Sequence, residues 1–133
     1  NYQYPIVLEG ALKLKEVAQI HAEGMIASEV KHGPIALIDD DTLSIFVIEK
    51  DAPYTSSILS NLAQIKARGG KVLVISNLGR VSDWDWYFPL PDIGPWWMPF
   101  YTVVVFQLLS YYIAQSKGLN VDRPRHLAKC ITT

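Results

Sequence analysis

Two kinds of hydrophobic spacing alternate along the chain. From Pro5 to Ala27 (PIVLEGALKLKEVAQIHAEGMIA) apolar residues recur at helical intervals, and Val7, Ala11, Leu14 and Ala18 fall on one stripe. Glu9, Lys13 and Glu16, spaced by four and then three, share nearly the opposite face. Pro5 suits a first helical turn, and the breaker cluster His32–Gly33–Pro34 predicts that helical regularity is lost before it. The run Leu43 to Ile48 is apolar and β-branched with little alternation, which predicts a strand buried on both faces. Ile58, Leu62 and Ile65 give Tyr54 to Ala67 a helical period, closed by Gly69 and Gly70. Lys71 to Ser76 (KVLVIS) reads as a second buried strand and Trp84 to Phe88 as a shorter third one. After the irregular stretch PLPDIGPWWMP, a long helix from Phe100 to Lys117 ends at Gly118.

Helix, strand, helix, strand, short strand, helix is an α/β order, and it predicts a parallel sheet with right-handed crossovers. Ligands in such sheets bind outside the carboxyl ends of the strands, which here are the loops at 49–53 and 77–83.

Composition narrows the class. With 133 residues, 50% hydrophobic and 19% charged, the chain is a single globular domain with a real core, and disorder is excluded. A net charge of −1 gives no electrostatic footprint for nucleic acid or an anionic membrane. The most apolar stretch, Phe100 to Gln115, is too short to span a bilayer and contains Gln107 and Ser110, so a buried helix is expected. One cysteine, Cys130, rules out an internal disulfide framework and points to a reducing, cytoplasmic compartment. The chain does not open on methionine, which suggests a processed or truncated segment.

Candidate chemistry starts with the helix face. Two carboxylates beside a lysine can act as general base and electrostatic partner. The simpler reading of Glu9, Lys13 and Glu16 is a solvated face with an ion pair worth about 0.3–0.5 kcal/mol. His32 lies where the chain leaves helix geometry, a place that suits either a proton-exchanging imidazole or a solvent-facing one. His21, His32 and His126 have no metal-ligand spacing, so no metal is expected. Ser56 and Ser57 fall where they would cap a helix or bind an anion, with capping favoured. Trp84, Trp86, Trp96 and Trp97 lie among prolines, which favours a packed loop or a subunit contact over a ligand box. Lys129 stands near Arg123 and Arg125. It would serve as an imine-forming amine if its surroundings kept it partly neutral, and otherwise is an exposed terminal lysine.

The stretches YPIVLEGALKLKEVAQIHAEG and SEVKHGPIALID, with the ending VDRPRHLAK, closely resemble the C-terminal sugar-isomerase (SIS) half of the glucosamine-6-phosphate synthases, the isomerising glutamine–fructose-6-phosphate aminotransferases. The similarity runs from Tyr4 to Ile131 and is weakest across Gly79 to Pro99. His126 and Cys130 stand where the family usually has asparagine and serine.

The resemblance implies a flavodoxin-like, three-layer α/β subdomain over residues 1–118 and a tail over 119–133 that carries the active-site lysine. In this fold a strand precedes the first helix; here the helix comes almost at once, so that first strand is expected to be missing from the chain. The implied reaction opens fructose 6-phosphate, aminates it at C2 and isomerises it to glucosamine 6-phosphate, with no cofactor. Glu16 matches the general base that moves the proton between C1 and C2, and Glu9 and Lys13 match supporting substrate-site residues. His32 matches a ring-opening histidine contributed across a subunit interface, and Lys129 matches the lysine that forms the imine. The implied partners are the other SIS half, which carries the phosphate-binding Ser/Thr loop, the glutaminase domain that supplies ammonia, and further copies in a homodimer or larger assembly. A non-catalytic phosphosugar-binding or dimerisation module is the competing reading; such a module needs no imine lysine.

Overall fold

The computed structural model describes residues 2–81 and 83–128. Its elements are helix α1 (Gln3–Glu16), two 3-10 turns (Ala27–His32 and Pro34–Leu37), strand β1 (Leu43–Ile48), helix α2 (Thr55–Lys66), strands β2 (Lys71–Ser76) and β3 (Trp86–Pro89), and helix α3 (Met98–Ser116). The strands form one parallel sheet in the order β1-β2-β3, with Leu43 opposite Lys71 and Leu73 opposite Trp86. This is the α/β parallel architecture expected, and among the described residues a helix, not a strand, comes first.

Alternation across the pleat divides the core into two layers. Phe46 and Ile48 of β1 and Val72 and Val74 of β2 point to one face, where Leu62 and Ile65 of α2, Val30 and Trp84 close over them. Ile45, Val47 and Ile75 point to the other face, covered by Ile6 and Val7 of α1 and by Met98, Val105 and Phe106 of α3. Helices therefore cover both sheet faces, in three layers. β2 is the centre: Val72, Val74 and Ile75 are fully buried. β1 is less enclosed than its apolar run predicts, since it lies at an edge and Leu43 is exposed.

The third strand is displaced from its predicted place. Trp84 is buried in the core ahead of β3. Asp85 accepts hydrogen bonds from the Val72 N–H at 2.7 Å and from Lys66 Nζ at 2.8 Å. The strand proper begins at Trp86 and ends on Pro89.

The first helix is shorter than its periodicity predicts. It ends at Glu16, not near Ala27, because Gln19 turns left-handed (φ 53°) and the Ile20 N–H reaches back to the Leu14 carbonyl at 3.1 Å. The chain then recrosses α1 at Gly24. A Cβ there would lie 3.0 Å from the Val7 carbonyl oxygen, so a larger residue would push the two segments apart by a few tenths of an ångström. The helical spacing of Ile20, Met25 and Ile26 therefore belongs to an extended segment, in which Ile20 and Ile26 are exposed and Met25 packs on the α2 side of the sheet. No helix of the described residues is long and apolar enough to cross a membrane.

Candidate functional site

The charged face of α1 assembles as its spacing predicts. Lys13 Nζ lies 2.6 Å from Glu16 Oε2 and 3.4 Å from Glu9 Oε1, so one ammonium bridges two carboxylates a helical turn apart on either side. All three side chains are partly exposed, Lys13 at 26%. The hydrogen bond to Glu16 is the main reason the Lys13 ammonium holds its proton more tightly than an ordinary lysine; desolvation opposes it, and the fields of Glu16 and Glu9 add to it. Lys13 is therefore a fixed positive charge at neutral pH. It contacts Glu16 through a single carboxylate oxygen, Oε2.

Beside this face runs a groove of about 410 Å³ on the outer side of the α1–α3 layer. Lys13 and Val17 form one wall, Val104, Gln107, Leu108 and Tyr111 of α3 the other, and Val121 and Asp122 close the end. Tyr111 Oη accepts a hydrogen bond from Gln115 Nε2 at 2.8 Å, which fixes the phenol along the helix. Gln107 and Tyr111 went unassigned at the level of sequence, although a polar residue inside the apolar run of α3 was the signal that could have found Gln107. The segment following α3 passes the groove, with the Asn120 side chain accepting the N–H groups of Asp122 and Arg123 at 3.0 and 3.1 Å. That segment leads to Lys129, which lies outside the described residues together with Cys130.

His32 stands apart. It ends the first 3-10 turn as an exposed side chain, and the ion pairs and hydrogen bonds of Glu9, Lys13 and Glu16 do not include it. His126, in the tail, is exposed and left-handed (φ 61°).

A second recess, of about 600 Å³, lies at the carboxyl ends of the strands, on the edge that the α/β rule marks. Glu49, the first residue after β1, is its floor: only 8% exposed, it accepts hydrogen bonds from Gln3 Nε2 at 2.8 Å and from the Tyr54 hydroxyl at 3.3 Å. Burial, then the Glu49 charge, pushes the Tyr54 phenol upward. Asn77, the first residue after β2, accepts the Lys50 N–H at 2.8 Å and donates to Asp92 at 3.4 Å, while Lys50 Nζ lies 3.6 Å from Asp92. These polar groups were not singled out by type. Their positions just past two buried strands were the available signal. At the adjoining start of α2, Tyr54 takes the N-cap position, not Ser56 or Ser57, which are exposed. The tryptophans divide: Trp84 is core, whereas Trp96 and Trp97 are exposed, Trp96 stacking on Tyr2 with ring centroids 4.8 Å apart.

The fold is thus a parallel three-layer α/β domain, with the Glu9–Lys13–Glu16 face of its first helix beside a groove. The SIS domain family profile matches residues 2–114. The chain is 46% identical over 99% of its length to a glutamine–fructose-6-phosphate aminotransferase (isomerising) of Chlorobaculum tepidum, spanning 22% of that relative. It is 44% identical over 97% of its length to a protein of the same name from Sphingobium yanoikuyae, of which it spans 85%. Among solved structures, the C-terminal domain of glucosamine-fructose-6-phosphate aminotransferase from Francisella tularensis superposes with a TM-score of 0.81 at 35% identity, covering 90% of this chain and 34% of that one. The chain belongs to the SIS domain family and, within it, to the isomerising glutamine–fructose-6-phosphate aminotransferases. It spans about a fifth of the length of most of the curated relatives it matches.

Proposed function

We propose that this domain supplies the proton-transfer half of a sugar-phosphate isomerase site, in an enzyme that makes glucosamine 6-phosphate from fructose 6-phosphate and glutamine-derived ammonia. The observation that carries the reading is the 2.6 Å contact that holds Glu16 against the Lys13 ammonium at the lip of the groove. Once nitrogen replaces oxygen at C2, the imine acidifies the C1–H. Glu16 then takes that proton and returns it to C2, which leaves an aldehyde at C1 and an amine at C2. Lys13 orients the Glu16 carboxylate through the 2.6 Å contact, with Glu9 on its other side. Lys129 is the amine that first condenses with the ketose, with loss of water; ammonia then adds to that imine and expels the lysine amine, leaving the C2 imine on which Glu16 acts. His32 opens the sugar ring in a neighbouring subunit's site, a role that suits its exposure and its distance in the chain from α1.

On this reading the partners are a second SIS half that clamps the phosphate, a glutaminase domain, and further copies in a homodimer or larger assembly. No cofactor, nucleic acid or membrane takes part. The competing reading, a phosphosugar-binding or dimerisation module, is favoured by the exposed apolar side chains Phe100, Val104 and Leu108 along α3.

Borohydride trapping decides between them. The complete aminotransferase is incubated with fructose 6-phosphate, reduced and mapped by mass spectrometry. A hexitol adduct on Lys129 is expected; an active enzyme with no adduct there removes the lysine from the mechanism.

A further inference from the structure

A cation outside the charged face joins the end of α3 to the turn that follows α1. Lys117, the residue that follows α3, donates from Nζ to the Ala18 carbonyl at 2.7 Å and to the Gln19 carbonyl at 3.2 Å, across 99 and 98 residues of sequence. Ala18 is fully buried, and Gln19 is the left-handed residue in the turn just past α1. A buried backbone carbonyl outside a helix or strand needs a donor, and the Lys117 ammonium supplies one to the Ala18 carbonyl. A left-handed conformation at a residue other than glycine is held by its surroundings, and the Lys117 contact is part of what holds this one.

Helix α1 is thereby fixed on α3 at two points. At mid-length Gly10 seats against the Phe106 ring so closely that a Cβ would lie 2.5 Å from it, which sets the distance between the helices. Leu14 and Ala18, both buried, carry the packing of α1 on to its C-terminal end, and Lys117 adds a polar tie to the turn just past it. The same residue begins the segment whose Val121 and Asp122 close the groove and which continues to Lys129. It therefore ties the helix end bearing the base to the root of the strap bearing the amine.

We propose that Lys117 is a positioning residue, holding Glu16 and the segment leading to Lys129 in a common register without touching the substrate. The proposal rests on the isomerase reading above. Its signature is a split between turnover and substrate binding, because misplacing a base by about 1 Å costs on the order of a hundredfold in rate while the phosphate clamp lies elsewhere.

The test uses the complete aminotransferase with Lys117→Met, Lys117→Arg and Glu16→Gln, and follows C1–C2 proton exchange in fructose 6-phosphate. Lys117→Met is expected to lower kcat about 10- to 100-fold with KM within about threefold, and Lys117→Arg, which keeps charge and donors, to recover most of the loss. A Lys117→Met enzyme with unchanged kcat overturns the proposal, as does an arginine variant no better than methionine. If Lys117→Met does not fold, Lys117→Gln replaces it and is read by the same criteria. Glu16→Gln tests the reading beneath: exchange that survives it rejects Glu16 as the base, whatever Lys117 does.

Discussion

The groove along α1 and the recess at the strand ends hold comparable sets of charged residues and use them in opposite ways. In the recess Glu49 is buried with two donors, and Asn77, Lys50 and Asp92 bind one another or the backbone, so the polar groups are consumed in holding three loops together. At the groove Lys13, which lines it opposite Val104 and Leu108, and the adjacent Glu16 are partly exposed and joined through a single oxygen of Glu16. A carboxylate that stabilises the fold is saturated with donors. One that moves protons is restrained on one side and accessible on the other. Location at the carboxyl edge of a parallel sheet therefore marks where a ligand can sit, while the state of the side chains marks where chemistry can occur.

The largest effect expected from that contrast is at Glu16. Replacing it with glutamine in the complete enzyme should slow C1–C2 proton exchange by about 10²- to 10⁴-fold, measured by deuterium wash-in, with little change in thermal stability. Glu49→Gln should show the reverse: exchange within a few-fold of wild type, but a loss of about 1–3 kcal/mol in denaturant unfolding, because a neutral amide meets donors arranged around a carboxylate. A Glu49 variant that loses exchange while keeping its stability would break the division between the two regions.

Between these extremes lies the seat of α1. Gly10→Val drives a branched side chain into the Phe106 ring, and about 1–3 kcal/mol of destabilisation is expected by chemical denaturation; an unchanged midpoint would show that the two helices slide freely.

The smallest effect is electrostatic and lies away from both regions. The Asp85 carboxyl is held below its usual value of 3.8, chiefly by the Lys66 hydrogen bond and then by the Val72 N–H. Its folded value is below its unfolded one, so its contribution is fully present above that usual value and is lost as pH falls through the lowered one. Melting curves should fall on acidification in that window, and Asp85→Asn should flatten the dependence there. An identical pH profile in the variant would remove Asp85 from the balance.

Much of this was legible along the chain. The β1 and β2 runs are continuous apolar segments between clear breakers, and both strands match their expected bounds. The α1 charged face was visible because helical spacing alone brings Glu9, Lys13 and Glu16 together. The end of α1 was not visible, since Ile20, Met25 and Ile26 keep a helical period while the crossing at Gly24 depends on the tertiary position of Val7. Trp84 resembles its exposed neighbours Trp96 and Trp97 in sequence, and only the docking of Asp85 onto β2 makes it core. The roles of His32 and Lys129 rest on resemblance, because no spacing links either to Glu16, the described ion pairs of Glu16 do not include His32, and Lys129 lies outside the described residues.

The two edges of the sheet are unequal. β3 has four residues and ends on Pro89, which has no N–H to offer a further strand, whereas β1 presents six residues without a proline. Backbone pairing past β3 is interrupted at Pro89, whereas the β1 edge runs six residues without such a break, so the two edges of the described sheet differ in how readily they could be lengthened.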